Sequence, residues 1–170
     1  MKDALSTIFT RRSVRDFTGD ALSEEQISTL VSAAMHAPSC RNKRLDSYVV
    51  VTERDDMLRI LDIHPYASML KTAGAAIIVC GEPFSGEEND FFLEDVSACM
   101  ENLLLAAHAM DLGAVWLGVY PLKARTEGLR ALFNIPENVV PMGIAAVGMP
   151  ASVPEPIDRY REDKVHKGKW

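Results

Sequence analysis

The chain has 170 residues, a net charge of −6 at pH 7, and a composition of 48% hydrophobic and 25% charged residues. This length suits one domain with its own core, and no run approaches the roughly 20 apolar residues that span a bilayer. The acidic balance disfavours nucleic acid or an anionic membrane as the main partner. Three cysteines without a C-x-x-C pair, and an N-terminus unlike a signal peptide, predict a reducing, cytoplasmic location.

The first half of the chain predicts three helices and two strands. Residues 2–10 form a short helix, and Ser23 with Gln26 forms a capping box for a second helix that runs to His36 and stops at Pro38. A β-branched run predicts a buried strand over 46–52, a charged helix follows over 54–62, and a second buried strand covers 73–81. Proline, glycine and four acids predict an exposed loop over 82–90.

The second half begins with the longest predicted helix, at 91–112, which is apolar nearly all round and has Gly113 as its C-terminal cap. A third strand follows at 114–120 and a helix at 123–133. The fourth strand, at 140–147, is expected to be broken by Pro141 and Gly143. Residues 151–170 predict an extended tail whose terminal Trp170 suggests docking on another surface. About four strands and five helices in irregular order predict an α+β fold.

Basic charge is concentrated in three short stretches, at 11–15, 41–44 and 159–169, which hold eleven of the 18 basic residues. Such clustering suits one or a few small anionic ligands. In the first stretch Arg11, Arg12, Ser13 and Arg15 predict an anion-binding turn, because guanidinium forks and a serine hydroxyl match phosphate oxygens. A solvated basic turn is the alternative that these residues alone leave open.

The usual catalytic and metal motifs are missing from the sequence. The four histidines have no H-x-x-x-H spacing and stand beside no zinc-like cysteine pattern, which disfavours a metal site. There is no G-x-S-x-G elbow, no P-loop and no G-x-G-x-x-G turn. Without a protein nucleophile, the arginine cluster favours a phosphate-bearing cofactor that carries the reaction itself.

Six stretches in order resemble the FMN-dependent nitroreductase family, and they cover essentially the whole chain. They are RRSVRDF at 11–17, APSCRN at 37–42, NLLLAA at 102–107 in the long helix, VWLG at 115–118, GMP at 148–150 and HKGKW at 166–170. The resemblance implies one FMN-binding domain over 1–170 with a central mixed or antiparallel sheet, flanking helices and a long central helix. It also implies an intimate homodimer with two FMN sites at the subunit interface, and a C-terminal tail docked on the dimer.

The resemblance also implies a role for each matching residue. Arg11 and Ser13 would hold the FMN phosphate with help from Arg12, and Arg15 would reach the pyrimidine side of the flavin. A cation there stabilises the anionic reduced flavin and raises its reduction potential. No side chain is implied as a catalytic residue. The other implied cofactor contacts are Pro38, Ser39 and Cys40 from the partner subunit, Asn42 at the ring edge, the strand end Trp116, Leu117 and Gly118, and Lys167 or Lys169 at the phosphate.

Several details of this site stay open. Trp116 could simply be a core residue, and Cys40 is either a small filler or a reactive thiol. After Asn42 the family typically continues with glutamine, proline and tryptophan, whereas Lys43 and Arg44 stand in that place here. This departure puts the glutamine contact in doubt and gives the pocket extra positive charge.

The implied activity is the reduction of nitroaromatics, quinones or another conjugated acceptor, with NADH or NADPH as donor. Hydride transfer through flavin N5 and replacement of nicotinamide by the oxidant predict ping-pong kinetics. A specialised reaction on the same scaffold, such as dehalogenation or flavin fragmentation, is one alternative. A flavin-binding redox module without turnover is another.

Overall fold

The computed structural model describes residues 3–86 and 91–170. Within these ranges the chain forms five α-helices and four β-strands, with short 3-10 turns between them. In chain order the elements are α1 (Ala4–Thr10), α2 (Glu24–Met35), β1 (Asp46–Val51), α3 (Arg54–Arg59), β2 (Ala75–Gly81), α4 (Phe91–Ala109), β3 (Gly113–Gly118), α5 (Lys123–Phe133) and β4 (Val140–Gly148).

The four strands form one sheet in the order β1-β2-β4-β3, and every neighbouring pair is antiparallel. In the middle of the sheet, Ile77 of β2 lies opposite Val50 of β1 on one side and Ala145 of β4 on the other. The sheet is therefore antiparallel throughout, and the predicted α+β class is confirmed.

Helices cover both faces of the sheet, and β2 is therefore buried along its whole length. Successive side chains of a strand point to opposite faces. Ile77 accordingly packs with Leu103 of α4, whereas Ile78 packs with Met57 of α3 and Leu129 of α5. The result is a three-layer arrangement with α2 and α4 on one face and α3 and α5 on the other.

The fourth strand is continuous, so the predicted break at Pro141 and Gly143 is wrong. The register of β2 with β4 shifts by one residue: Val79 lies opposite Gly143, and Cys80 lies opposite Pro141. Met142 is therefore the extra residue of a β-bulge. A bulge tolerates proline because it interrupts the hydrogen-bond ladder that proline cannot serve.

The long central helix α4 ends at Ala109, three residues before the predicted end, and Gly113 is not its cap. Asp111 takes the left-handed conformation after the helix, with φ of 58°. Gly113 instead begins β3, where a Cβ would come within 2.6 Å of Val14 Cγ1. Glycine at this position lets residues 11–17 lie close against the sheet.

Two other predicted bounds fall partly outside the described residues, namely the start of the first helix at Lys2 and the end of the loop at 87–90.

The predicted capping box is confirmed: the Gln26 N–H donates to Ser23 Oγ at 3.1 Å, and the Ser23 N–H donates to Gln26 Oε1 at 2.9 Å. The predicted bounds of α5 also agree with the structure.

Residues 151–170 are exposed along their whole length. The side chain of Trp170 is 99% exposed, and its ring lies 4.1 Å from that of His166. Docking of this tail on another subunit stays a prediction. Among the described helices, none combines the length and the hydrophobicity that crossing a bilayer requires.

Candidate functional site

Residues 11–17 lie along β3. Ser13 forms a parallel bridge with Ala114, and the Val14 N–H donates to the Ala114 carbonyl at 2.9 Å. Val14 and Phe17 are buried in the core on the α3 and α5 side of the sheet. These apolar residues attach the segment to the sheet and leave the arginines between them at the surface.

The three arginines of this segment differ in their surroundings. Arg11 is held against α4 by an ion pair, with 3.3 Å between its Nε and Glu101 Oε1, and its side chain is 20% exposed. Arg12 is half-buried and Arg15 is exposed, and neither guanidinium forms a hydrogen bond or ion pair with another described residue. Their guanidinium donors are thus available to a bound anion.

The end of β3 faces open space. Leu117 is buried, but Trp116 is 36% exposed and Gly118 is exposed. A Cβ placed on Gly118 would meet no heavy atom within 4 Å. A flat ligand can therefore approach the backbone at this strand end without displacing a side chain of this chain.

The arginine segment and the open strand end are separated by a length that suits FMN. Ser13 lies beside Ala114, and Gly118 follows four residues later along the strand, at roughly 13 Å for an extended backbone. FMN consists of a phosphate, an extended ribityl chain and a planar ring. Guanidinium and hydroxyl donors at one end and open backbone at the other fit such a molecule.

The loop after α2 is anchored to the central helix. The backbone N–H of Cys40 donates to Asp95 Oδ1 of α4 at 2.8 Å. The second carboxylate oxygen of Asp95 is buried and has no hydrogen-bond partner among the described residues. Pro38 is exposed, while Ser39 and Cys40 are half-buried. This anchoring holds the implied flavin-lining residues in a defined position on the surface of the subunit.

Arg44 orients the side chain of Asn42 in that loop. Its Nε donates to Asn42 Oδ1 at 2.9 Å, and its backbone N–H donates to Ser39 Oγ at 3.1 Å. With the amide oxygen engaged, the Nδ2 group of Asn42 is the donor left for a ligand. Asn42 and Arg44 both have positive φ, of 53° and 51°, so the loop turns tightly here.

Sequence reasoning missed a cluster behind the strand end. The Gly118 carbonyl lies 3.0 Å from His64 Nε2 and 2.7 Å from Arg125 Nη1. His64 is only 2% exposed, and burial lowers the pKa of its imidazole, with the nearby Arg125 charge adding to this effect. A single histidine before a proline has no periodicity or motif that would have identified it.

The model of the nitroreductase family matches residues 8–76 and 64–149 of the chain. The chain belongs to the nitroreductase family. A protein of Methanothermobacter thermautotrophicus, provisionally named NADH dehydrogenase/NAD(P)H nitroreductase, is 42% identical over 168 residues, which are 99% of this chain and 88% of that protein.

Two further comparisons agree with this assignment. The crystal structure of a protein from Parabacteroides distasonis, with the same provisional name, is 37% identical, has a TM-score of 0.93 and is matched over 100% of both chains. The FMN reductase (NADPH) of Bacillus subtilis is 23% identical over 171 residues, which are 90% of this chain and 68% of that protein. The family and the fold implied by the sequence resemblance are thereby confirmed.

The tail lysines of this nitroreductase are not joined to the arginine segment within one chain. Lys167 and Lys169 are exposed and make no hydrogen bond or ion pair with the described residues. Nearer the body, residues 156–160 pass beside Arg11 in a groove that they share with α1. A role for either lysine at the phosphate stays a prediction.

The three cysteines are free thiols in different environments. Burial raises the pKa of Cys80 to about 12, and burial also raises the pKa of Cys99. Both therefore stay protonated and serve as core residues. Cys40 is half-buried in the anchored loop, and both of its predicted roles stay open. The described residues contain no cluster of three side chains able to hold a metal ion.

Proposed function

We propose that this nitroreductase is an FMN-dependent oxidoreductase that takes electrons from NADH or NADPH and reduces a small conjugated acceptor, such as a nitroaromatic or a quinone. The observation that carries the proposal is the pairing of Ser13 with Ala114, which aligns the basic segment with the open end of β3. The names of the Methanothermobacter and Bacillus relatives support the donor and the cofactor. A cytoplasmic location belongs to the same proposal.

At the phosphate end, the chain supplies charge and hydrogen-bond donors. Arg11 and Ser13 bind the phosphate and Arg12 adds a second guanidinium, because a dianion is best held by several fixed donors. The ion pair with Glu101 holds the Arg11 guanidinium in one orientation at the surface of α4. Either Lys167 or Lys169 of the tail completes this end of the site.

At the ring end, the chain supplies backbone and one exposed cation. Bound FMN supplies the two-electron hydride chemistry, which no side chain of this protein can perform. Leu117 and Gly118 present backbone groups to the ring, and Trp116 lies beside it. Arg15 places positive charge near the pyrimidine edge and thereby favours the reduced state. Proton delivery needs no dedicated side chain at an open site, because water can reach it.

The loop after α2 completes the ring end from a second subunit. Pro38, Ser39 and Cys40 line the flavin of the partner, and the Nδ2 group of Asn42 donates to an acceptor at the ring edge. The hydrogen bond from Arg44 to Asn42 Oδ1 supports this direction of donation. The homodimer is therefore part of the active unit.

The apolar surface of the single chain supports such a homodimer. A groove of about 810 Å³ separates α1 from the tail, and Phe9 of α1 is 69% exposed beside it. Large hydrophobic patches on one chain mark protein contacts. A second copy of this chain fills the groove and covers the patch. The exposed large hydrophobic residues of α1 and the tail are Leu5, Ile8, Phe9, Val153, Ile157, Tyr160, Val165 and Trp170.

Steady-state kinetics with a nitroaromatic and a benzoquinone test the proposed activity. We expect parallel double-reciprocal lines when donor and acceptor are varied together. A protein whose bound FMN is reduced by NADH or NADPH but which turns over neither acceptor would contradict the substrate class and favour a specialised reaction.

Sedimentation of Phe9→Glu tests the dimer, and Leu58→Glu on the exposed side of α3 is the matched control. We expect the Phe9 variant to dissociate and lose FMN, while the Leu58 variant stays dimeric. Equal sedimentation of the two variants would contradict the proposed interface.

A further inference from the structure

Two side chains hold the Gly118 carbonyl at the end of β3. It accepts from His64 Nε2 at 3.0 Å and from Arg125 Nη1 at 2.7 Å, so both of its lone pairs are used. The other end of the same peptide group is also fixed, because the Val119 N–H donates to the Met142 carbonyl at 3.2 Å. This peptide plane therefore has little freedom to rotate.

The contact of His64 Nδ1 with a backbone donor favours one tautomer of the ring. The Tyr66 N–H donates to His64 Nδ1 at 3.3 Å, so Nδ1 is unprotonated and Nε2 carries the proton. Nε2–H must then donate to Gly118, and the 3.1 Å approach of Arg125 Nη1 to Nε2 places two donors side by side on one carbonyl. A buried neutral histidine and a guanidinium thus converge on a single backbone atom.

The position of the Gly118 carbonyl distinguishes its contact with Arg125 from other contacts between an arginine and a backbone carbonyl in this fold. Arg130 of the same helix makes a similar contact, from Nη2 to the Val139 carbonyl at 2.9 Å, but it serves the start of β4. Gly118 instead has open space beside it, where the proposed function places the flavin ring. The guanidinium of Arg125 therefore contacts the strand end at which the proposed function places the ring.

We propose that His64 and Arg125 are positioning residues for the flavin: they fix the Gly118 peptide against which the ring rests, and Arg125 holds a positive charge behind it. The inference rests on the proposed function, since it needs FMN at this strand end. It has two separable consequences. A fixed peptide strengthens FMN binding because less motion is lost on binding. A fixed cation near the ring raises the reduction potential, because the reduced flavin carries negative charge.

Four variants separate these consequences, and each is read by the Kd for FMN and by the midpoint potential of the bound flavin. Arg125→Met removes the donor and the charge, and Arg125→Lys keeps the charge. His64→Leu removes the donor, and His64→Gln keeps an N–H that can reach Gly118. We expect Kd to rise about tenfold for Arg125→Met and His64→Leu, which is the effect of about one hydrogen bond. The potential should fall for Arg125→Met and stay near that of the wild type for Arg125→Lys.

Arg130→Met is the matched control, because Arg130 lies on the same helix as Arg125 and its guanidinium also donates to a backbone carbonyl. It should lower the free energy of unfolding without changing Kd or potential. Wild-type protein that binds no FMN would overturn the proposed function itself. Wild-type protein that binds FMN, with Arg125→Met unchanged in both Kd and potential, would overturn this inference alone. If His64→Leu does not fold, the two Arg125 variants and His64→Gln test the positioning role.

Discussion

Asp95 of α4 accepts a hydrogen bond from the backbone N–H of Cys40, with 2.8 Å between the nitrogen and Oδ1. The central helix thereby holds the loop that the proposed dimer presents to the partner's flavin. The other oxygen of Asp95 is buried without a partner among the described residues, so this carboxylate is retained at a cost in solvation. Such a cost is expected where a loop must be held in one position.

Replacing Asp95 by alanine should release that loop. A hydrogen bond to a charged group contributes about 1.5–3 kcal/mol, so we expect Asp95→Ala to weaken FMN binding by about tenfold or more. Asp95→Asn is the control, because its amide oxygen can still accept from the Cys40 N–H. Fluorescence titration of FMN measures both variants, and equal Kd values for the two would contradict an anchoring role.

Arg11 should contribute to FMN binding through the phosphate. We expect Arg11→Met to weaken FMN binding by about 10- to 100-fold, the effect of a charge-assisted hydrogen bond, and to leave riboflavin binding nearly unchanged. The readout is the ratio of the two Kd values. Arg59→Met, an exposed arginine of α3 paired with Asp56, is the control and should not alter the ratio. Equal losses for FMN and riboflavin would show that Arg11 acts on the fold.

Arg15 should act on flavin electronics more than on affinity. It is exposed, and its guanidinium has no hydrogen bond or ion pair to the described residues, so its removal breaks no polar contact of the described fold. We expect Arg15→Ala to lower the midpoint potential of the bound flavin while Kd for FMN changes by less than about tenfold. A large loss of affinity with an unchanged potential would mean that Arg15, too, belongs to the phosphate end.

Short-range sequence patterns predict the helices and strands of this fold. The site depends on contacts between residues that are far apart in the chain, which such patterns do not predict. The capping box at Ser23 and the bounds of α5 are both recognised from short-range patterns. The sequence predicts a helix cap at Gly113, because a glycine after an apolar helix is typical of one. Its actual reason is the approach of Val14, a residue far away in the chain.

The same limit applies to the site. Composition alone indicates the basic segment at 11–15, and resemblance to a family implies its role. Its pairing with β3, through Ser13 and Ala114, has no local signature. The convergence of His64 and Arg125 on Gly118 could not be predicted either, because it depends on the packing of α5 against the sheet and on a bend before Tyr66.

His64 should make stability depend on pH. Burial lowers its pKa below the ordinary value of 6.5, so the unfolded chain binds a proton there before the native state does. The stabilisation from neutral His64 is complete above pH 6.5 and is lost as pH falls toward the native pKa. Urea unfolding at about pH 8 and about pH 5.5 should show wild type losing more stability than His64→Gln on acidification. An equal loss in both proteins would contradict this assignment.

The proposed activity requires that this chain holds a flavin that a nicotinamide donor can reduce. Its most direct test is the visible spectrum of the purified, FMN-supplemented protein under argon, before and after addition of NADH or NADPH. We predict FMN bound in an amount equal to the chain, and loss of the oxidised flavin band with at least one of the two donors. A protein that takes up no FMN, or whose bound FMN neither donor reduces, would contradict the proposed activity.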